Sequence, residues 1–132
     1  MDLLDFGFNT VGTWSSDPRL KSRVRFNLSS LHGERVIYAF GVDDAVKYIG
    51  ICDNTDTTLK DRLSRYQGMM GGSTNKRIAA LIREHLSHGR TVRILAWRPE
   101  SIFQVKELKV DLVKGLENPL IQALRPEWNI HS

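Results

Sequence analysis

The chain has 132 residues, of which 41% are hydrophobic and 26% charged, so it can build one modest globular core and is too short for two. It carries a formal net charge of +4, has no apolar run near the roughly 18–20 residues that span a bilayer, and starts without the pattern of an export signal, so we expect a cytoplasmic protein with no membrane contact. The single cysteine, Cys52, excludes an internal disulfide and a multi-cysteine zinc site.

Residues 1–33 are predicted to form an N-terminal extension that contains a β-hairpin arm. A short apolar turn or helix at 2–8 is followed by two strand-like segments, 11–15 and 22–28. Ser16-Asp17-Pro18 between them is typical of a turn. Residues 34–132 are predicted to form the main domain.

The main domain opens with a second predicted hairpin. Its strand-like runs are 36–40 and 46–51, separated by a turn at 41–44. A helix is predicted from about Thr58 to Gln67, with Thr57 or Thr58 as its cap.

The second half of the chain predicts two more helices and one strand. The first helix covers 75–88 and has Ser73-Thr74 as its predicted cap, and the strand covers 91–97. A longer helix is predicted at about 105–124, where leucines recur every four residues, and Pro119 predicts a kink or break near Glu117-Asn118. The fold class is therefore predicted as α+β, a small antiparallel or mixed β-sheet flanked by helices.

Two tripeptides on the predicted 36–51 hairpin are the most informative feature of the sequence. Val36-Ile37-Tyr38 lies on one strand and Tyr48-Ile49-Gly50 on the next. If the two strands pair antiparallel, their phenols can project into one site.

This pattern resembles the GIY-YIG nuclease superfamily, over residues 34–132. The first tripeptide has Val where the family has Gly, and the second is intact. Segment 59–66 is similar to the family's arginine-bearing helix, 115–121 to its metal-binding helix, and 125–129 to its Pro-x-x-Asn element. The five elements occur in the family's order, which is far more specific than any one of them alone.

The resemblance implies a small stand-alone or restriction-like endonuclease that hydrolyses DNA phosphodiester bonds with Mg²⁺ or Mn²⁺. Glu117 would bind the metal, and the Arg62 guanidinium would stabilise charge on the phosphate. Asn129 would organise the site through its amide hydrogen bonds.

The same resemblance implies roles for the tyrosines. Tyr38 is similar to the residue proposed to deprotonate the attacking water, and Tyr48 to the one that positions this water, with the identity of the base left open. Tyr66, one turn after Arg62, is a candidate contact for water or phosphate. Ile51 stands where some relatives have a lysine.

Positive charge is concentrated between residues 60 and 93, which contain eight cations and two anions. A surplus of this size favours a polyanionic partner, and with the motif it predicts DNA contacts. The residues predicted to make them are Lys60, Arg65, Lys76, Arg77 and Arg83. A solvated helix face is the alternative for each.

Other interpretations stay open. The chain could be a nucleic-acid-binding module of the same fold with weak or no nuclease activity. His85 and His88, three apart on one helix, could with His32 and His131 supply a zinc site, but no third ligand has suitable spacing. The oligomeric state is undetermined, a homodimer on DNA being one option.

Overall fold

The structure, a computed structural model, describes residues 2–30, 33–54, 56–99 and 103–130. Five strands form its main sheet: β1 (Asn9–Ser16), β2 (Val24–Leu28), β3 (Val36–Val42), β4 (Ala45–Cys52) and β5 (Val92–Trp97). All neighbours pair antiparallel, in the spatial order β2-β1-β5-β3-β4. β4 is therefore an edge strand, and the predicted α+β class with an antiparallel sheet is confirmed.

Four helices flank the sheet: α1 (Leu3–Phe6), α2 (Leu59–Gln67), α3 (Ser73–Ser87) and α4 (Leu112–Leu124). Thr58 and Asp61 form a capping box at the start of α2, which confirms Thr58 as a cap. The cap predicted at Ser73-Thr74 is wrong, because α3 already begins at Ser73 after Gly72 and no side chain caps it. Within the described residues, no helix is both long and apolar enough to cross a bilayer.

The N-terminal hairpin is built into the main sheet. β1 pairs with β2 on one side and with β5 on the other. Val11 and Trp14 of β1 are buried and join the core, which is why the hairpin packs against β5. The predicted hairpin thus supplies two of the five strands.

The helix that carries Glu117 is shorter than predicted. Residues 103–110 form a small ribbon of two antiparallel strands, β6 (Phe103–Val105) and β7 (Leu108–Val110). In the turn between them Lys106 has a φ of 54°, a left-handed conformation that a helix cannot contain. The predicted start near residue 105 is therefore wrong, because Leu108 fits the leucine spacing but lies in a strand.

α4 begins where a side chain can cap it. The Asp111 carboxylate accepts hydrogen bonds from the backbone N–H groups of Val113 and Lys114. The helix continues through Pro119 to Leu124, so a break near Glu117-Asn118 is not observed, and the kink stays a prediction. Proline removes a single intrahelical hydrogen bond, and Val113 and Leu120, one on each side of this point, both pack in the core beneath the sheet.

The sheet buries a hydrophobic core on each face. α2 and α3 cover the face that includes Tyr38, Phe40 and Tyr48. α1 and α4 cover the opposite face, which includes Ile37 and Ile49. α4 also packs along the edge strand β4, and this brings its residues to the rim of the tyrosine-bearing face.

Candidate active site

The β3–β4 hairpin places two tyrosines side by side. In its register Tyr38 pairs with Gly50 and Phe40 pairs with Tyr48. Both phenol rings project onto the α2–α3 face, with ring centroids 6.4 Å apart. The antiparallel pairing expected of the two tripeptides is thus present, and their phenols share one site.

Three phenols and one guanidinium form a connected cluster there. The hydroxyl oxygens of Tyr38 and Tyr66 are 2.6 Å apart, and the Tyr66 hydroxyl donates to the Tyr48 hydroxyl at 3.5 Å. Arg62 Nη2 donates to the Tyr38 and Tyr66 hydroxyls at 3.4 and 3.3 Å. α2 makes this possible because Arg62 and Tyr66 lie one turn apart on the same face.

The three phenols differ in the exposed fraction of their side chains. Tyr38 and Tyr66 are fully buried, whereas Tyr48 keeps 9% of its surface exposed. Burial raises the pKa of all three hydroxyls, so all are protonated at neutral pH, and the Arg62 charge opposes this rise. Of the three phenols, Tyr48 is therefore the one that retains exposed surface.

Arg62 is held charged at the centre of the cluster. Burial disfavours its charged form, yet the phenol oxygens of Tyr38 and Tyr66 raise its pKa above the usual value. Its guanidinium carbon lies 5.6 Å from the Tyr66 ring centroid. Its Nε is buried without a hydrogen-bond partner among the described residues, so this donor is available to a water or to a phosphate oxygen.

Glu117 lies on α4, the helix that packs against β4 and on the opposite face of the sheet from the tyrosines. It is half-buried, and burial raises the pKa of its carboxyl; the negative charge of Asp53 raises it further, and Arg62 lowers it. The charge of Glu117 also raises the pKa of Tyr48. Glu117, Arg62 and Tyr48 are therefore close enough to act on one another electrostatically.

A clamp at the end of β4 fixes the position of α4. Arg35 Nη1 donates to the Asp53 carbonyl oxygen at 2.6 Å, and the same guanidinium forms an ion pair with Asp111, the cap of α4. Lys114 Nζ lies 3.8 Å from the Asp53 carboxylate. Since Lys114 and Glu117 are three residues apart on α4, Asp53 faces the side of the helix that carries Glu117.

The Asn129 side chain hydrogen-bonds to the backbone of β4, and among the described residues it has no hydrogen bond to the phenols. Its side-chain oxygen accepts from the Ile49 N–H, and its amide nitrogen donates to the Ile49 carbonyl, both at 3.0 Å. The neighbouring Trp128 N–H donates to the Lys47 carbonyl at 2.8 Å. The C-terminal segment thereby covers the free edge of β4 beside Tyr48.

The predicted DNA-binding residues lie in three different settings. Arg65 lines, with Arg62, two openings: a cavity of about 190 Å³ shared with Asp53, and a groove of about 690 Å³ beside the start of α3. Lys60 and Lys76 are exposed on α2 and α3. Arg77 and Arg83 line a separate groove with the β1–β2 turn.

His85 and His88 each have a partner other than a metal ion. The His88 ring donates to the Glu84 carbonyl, and His85 packs against Trp128 with ring centroids 5.6 Å apart. His32 and His131 lie outside the described residues. Among the residues that are described, no group of three or more His, Cys, Asp or Glu side chains has metal-binding geometry.

The donor set around Glu117 is compatible with a hard divalent cation. The negative charge of the Asp53 carboxylate repels that of the Glu117 carboxylate, and a bound cation would relieve this repulsion. Mg²⁺ commonly takes one or two protein carboxylates and keeps several waters, so no larger ligand cluster is required. The residues present therefore fit the metal that the resemblance implies.

Asp53 was missed by the sequence analysis. The sequence does show an acidic residue directly after the strand that carries Tyr48-Ile49-Gly50. This position suggests a role in the site only once α4 is known to pack beside β4.

Comparison with known proteins adds evidence on the fold. The sequence matches no protein-family model and no curated protein. The structure is similar to that of a mutant of bacteriophage T4 EndoII, with a TM-score of 0.72 and 20% identity over 96% of this chain and 95% of that one. It is also similar to the restriction endonuclease HPY188I in complex with product DNA, with a TM-score of 0.54 and 17% identity over 93% of this chain and 79% of that one. At these identities the likeness shows a shared fold.

Proposed function

We propose that the chain is a metal-dependent endonuclease that hydrolyses DNA phosphodiester bonds through a GIY-YIG-type active site. The observation that carries this proposal is the hydrogen-bonded cluster of Tyr38, Tyr48, Tyr66 and Arg62, with Glu117 acting on it from α4. Two structural neighbours support it, since one is named EndoII and the other is a restriction endonuclease with product DNA.

In the proposed reaction a water adds to phosphorus and the bond between phosphorus and the 3′ oxygen breaks. The products are a 5′-phosphate and a 3′-hydroxyl, and the proton of the water is transferred to the solvent or to the departing oxygen. Arg62 supplies a fixed positive charge and donors for the phosphate oxygens, whose charge grows in the transition state. The phenols of Tyr38 and Tyr66 hold its guanidinium in place.

Tyr48 is the phenol that we assign to the attacking water. Tyr38 is fully buried and its hydroxyl is hydrogen-bonded to that of Tyr66. In this proposal it therefore acts on the water indirectly, through the hydrogen-bonded hydroxyls of Tyr66 and Tyr48. The raised pKa of each phenol makes a free phenolate scarce at neutral pH, and Arg62 is the charge that lowers the cost of forming one.

Glu117 and Asp53 are the residues that would hold a divalent cation, Mg²⁺ or Mn²⁺. When bound, such an ion supplies Lewis-acid stabilisation of the phosphate and of the leaving oxygen. Asn129 fixes the β4 edge beside Tyr48 through its two hydrogen bonds to Ile49.

DNA is the proposed partner, bound by the basic residues Lys60, Arg65, Lys76, Arg77 and Arg83. Arg65 extends the Arg62 site along α2, where it can contact a phosphate next to the one that is cut. The cytoplasmic location stays a prediction.

The test is incubation with supercoiled plasmid and with single-stranded DNA, in Mg²⁺, Mn²⁺ or EDTA. We expect cleavage only with metal, and none by Glu117→Ala, which should still fold and bind DNA. Glu107→Ala, which removes an exposed carboxylate from the ribbon, is the matched control and should keep full activity. The ratio of nicked to linear product would show whether two copies act together.

A binding module of the same fold is the second candidate. It predicts DNA binding by the wild type without any metal-dependent cleavage. Activity of Glu117→Ala within a few-fold of the wild type would instead remove Glu117 from the proposed site.

A further inference from the structure

The turn between β1 and β2 and one face of α3 enclose a groove of about 630 Å³. We call it the hairpin–α3 groove; it is lined by residues of 16–23 and 77–87. Arg23 comes from the turn, and Arg77 and Arg83 come from the helix. The groove shares no lining residue with the two openings around Arg62.

The arginines of this groove are free to bind an external anion. Asp17, the acid of the turn, is committed to Arg19 and Arg25, with N–O distances of 3.1 and 2.7 Å. Within the described part of the chain, Arg23, Arg77 and Arg83 form no salt bridge. Among the described residues that line the groove, Glu84 is the one acid beside three arginines, so positive charge predominates there.

The backbone of Arg23 allows its side chain to be removed without straining the turn. Its φ is 64°, the left-handed conformation that glycine adopts at less cost than any residue with a Cβ. The tight turn requires this conformation, because the Arg23 N–H bonds to Leu20 and the Arg23 carbonyl accepts from Asp17. A glycine at this position would therefore keep the turn without strain.

We propose that the hairpin–α3 groove binds the phosphate backbone of duplex DNA, with Arg23 as a contact residue. This inference rests on the endonuclease function proposed above, because that function identifies DNA as the partner. The start of α3 lines the opening that contains Arg62, and later residues of the same helix line the hairpin–α3 groove. α3 is roughly 20 Å long at 1.5 Å per residue, and the proposal is that one duplex contacts both sites.

The experiment compares two arginine-to-glycine changes. Arg23→Gly removes one charge and relieves a left-handed backbone. Arg125→Gly does the same at the end of α4, where the φ of Arg125 is 47° and its side chain is exposed. α4 packs on the opposite face of the sheet from α3, so this control lies away from the groove. Arg23→Lys keeps the charge. Binding of a 30-bp duplex is measured by fluorescence anisotropy in EDTA across a salt series, with thermal melting of each variant.

One lost phosphate contact should lower the slope of log K against log salt by about 0.9 and weaken binding about eightfold at 0.1 M monovalent salt. We expect this for Arg23→Gly with an unchanged or higher Tm, and not for Arg125→Gly or Arg23→Lys. If Arg23→Gly melts lower, Arg83→Ala on the exposed helix face replaces it, with the same expected loss.

Equal slopes for Arg23→Gly and the wild type would overturn the proposal, as would equal losses in Arg23→Gly and Arg125→Gly. Failure of the wild type to bind duplex at low salt would overturn it as well. The plasmid assay keeps the two proposals apart. Binding through Arg23 without cleavage removes the enzymatic function alone, and cleavage with normal binding by Arg23→Gly removes the groove alone.

Discussion

Gly50 lies directly opposite Tyr38 in the β3–β4 pair, and the Tyr38 ring occupies the space that a Cβ at residue 50 would need. The glycine of the second tripeptide therefore has a steric role. Its missing side chain lets the phenol of the first tripeptide lie flat across β4 and meet Tyr66 and Arg62.

We expect Gly50→Ala to abolish cleavage and to lower the free energy of unfolding by about 1–3 kcal/mol, the usual cost of overpacking. The new Cβ would push the Tyr38 phenol away from Tyr66. Plasmid cleavage and chemical denaturation measure the two effects. Gly115→Ala in α4 is the control, because its Cβ would make only ordinary contact with Val110, and it should be neutral or stabilising. Full activity in Gly50→Ala would contradict the packing argument.

The three tyrosine-to-phenylalanine changes should differ in kind. Tyr48→Phe removes a hydroxyl whose contact with the Tyr66 hydroxyl is long, at 3.5 Å, and should lower the single-turnover rate by about 10²-fold with little change in stability. Tyr38→Phe and Tyr66→Phe should lower the rate similarly and also cost about 1 kcal/mol each, since each breaks a buried hydrogen bond. Rapid-quench cleavage and urea denaturation test both parts. Wild-type rates in Tyr48→Phe would show that this phenol only packs.

Removal of the Asp53 charge should lower the pKa of Glu117. Burial and the Asp53 carboxylate both disfavour ionised Glu117 in the folded protein, so Asp53→Asn takes away one of the two causes. The pKa of Glu117 can be followed by carboxyl ¹³C NMR in EDTA. Asp44→Asn, an exposed change in the β3–β4 turn, should leave it where it was. An unchanged pKa in Asp53→Asn would place Asp53 too far away to share a cation.

Stability in acid should depend on Asp17. Hydrogen bonds from Arg19 and Arg25 hold the pKa of Asp17 well below its usual range. The stabilisation is therefore fully present above the unfolded pKa of about 4 and is lost as the pH falls through the lower folded value. Asp17→Asn should melt at a lower temperature than the wild type at pH 7, and the difference should shrink below pH 4. A constant difference across this pH range would mean that the carboxylate charge is not what stabilises the turn.

Much of the fold followed from local pattern. The hairpin with the two tripeptides, α2 with its Thr58 cap, α3 and the strand at 92–97 lie where alternation, helical spacing and turn residues predicted them. The segment 103–110 did not, because leucine spacing alone does not distinguish a strand from the first turns of a helix. Local sequence also could not show that β1 would pair with β5, since that contact joins segments about 80 residues apart.

For the site, the sequence by itself supplied the residue types and their order: two tyrosines on paired strands, an arginine and a third tyrosine one turn apart, a glutamate and an asparagine. These features depend on the spacing of residues within single strands and helices, and this spacing can be read directly from the sequence. Tertiary packing determined that Tyr38 is fully buried while Tyr48 keeps a small exposed fraction, that the Asp53 charge acts on Glu117, and that Arg23 lines one groove with Arg77 and Arg83. Burial and charge proximity are properties of packed elements, and packing is fixed by contacts between residues that are distant in the sequence.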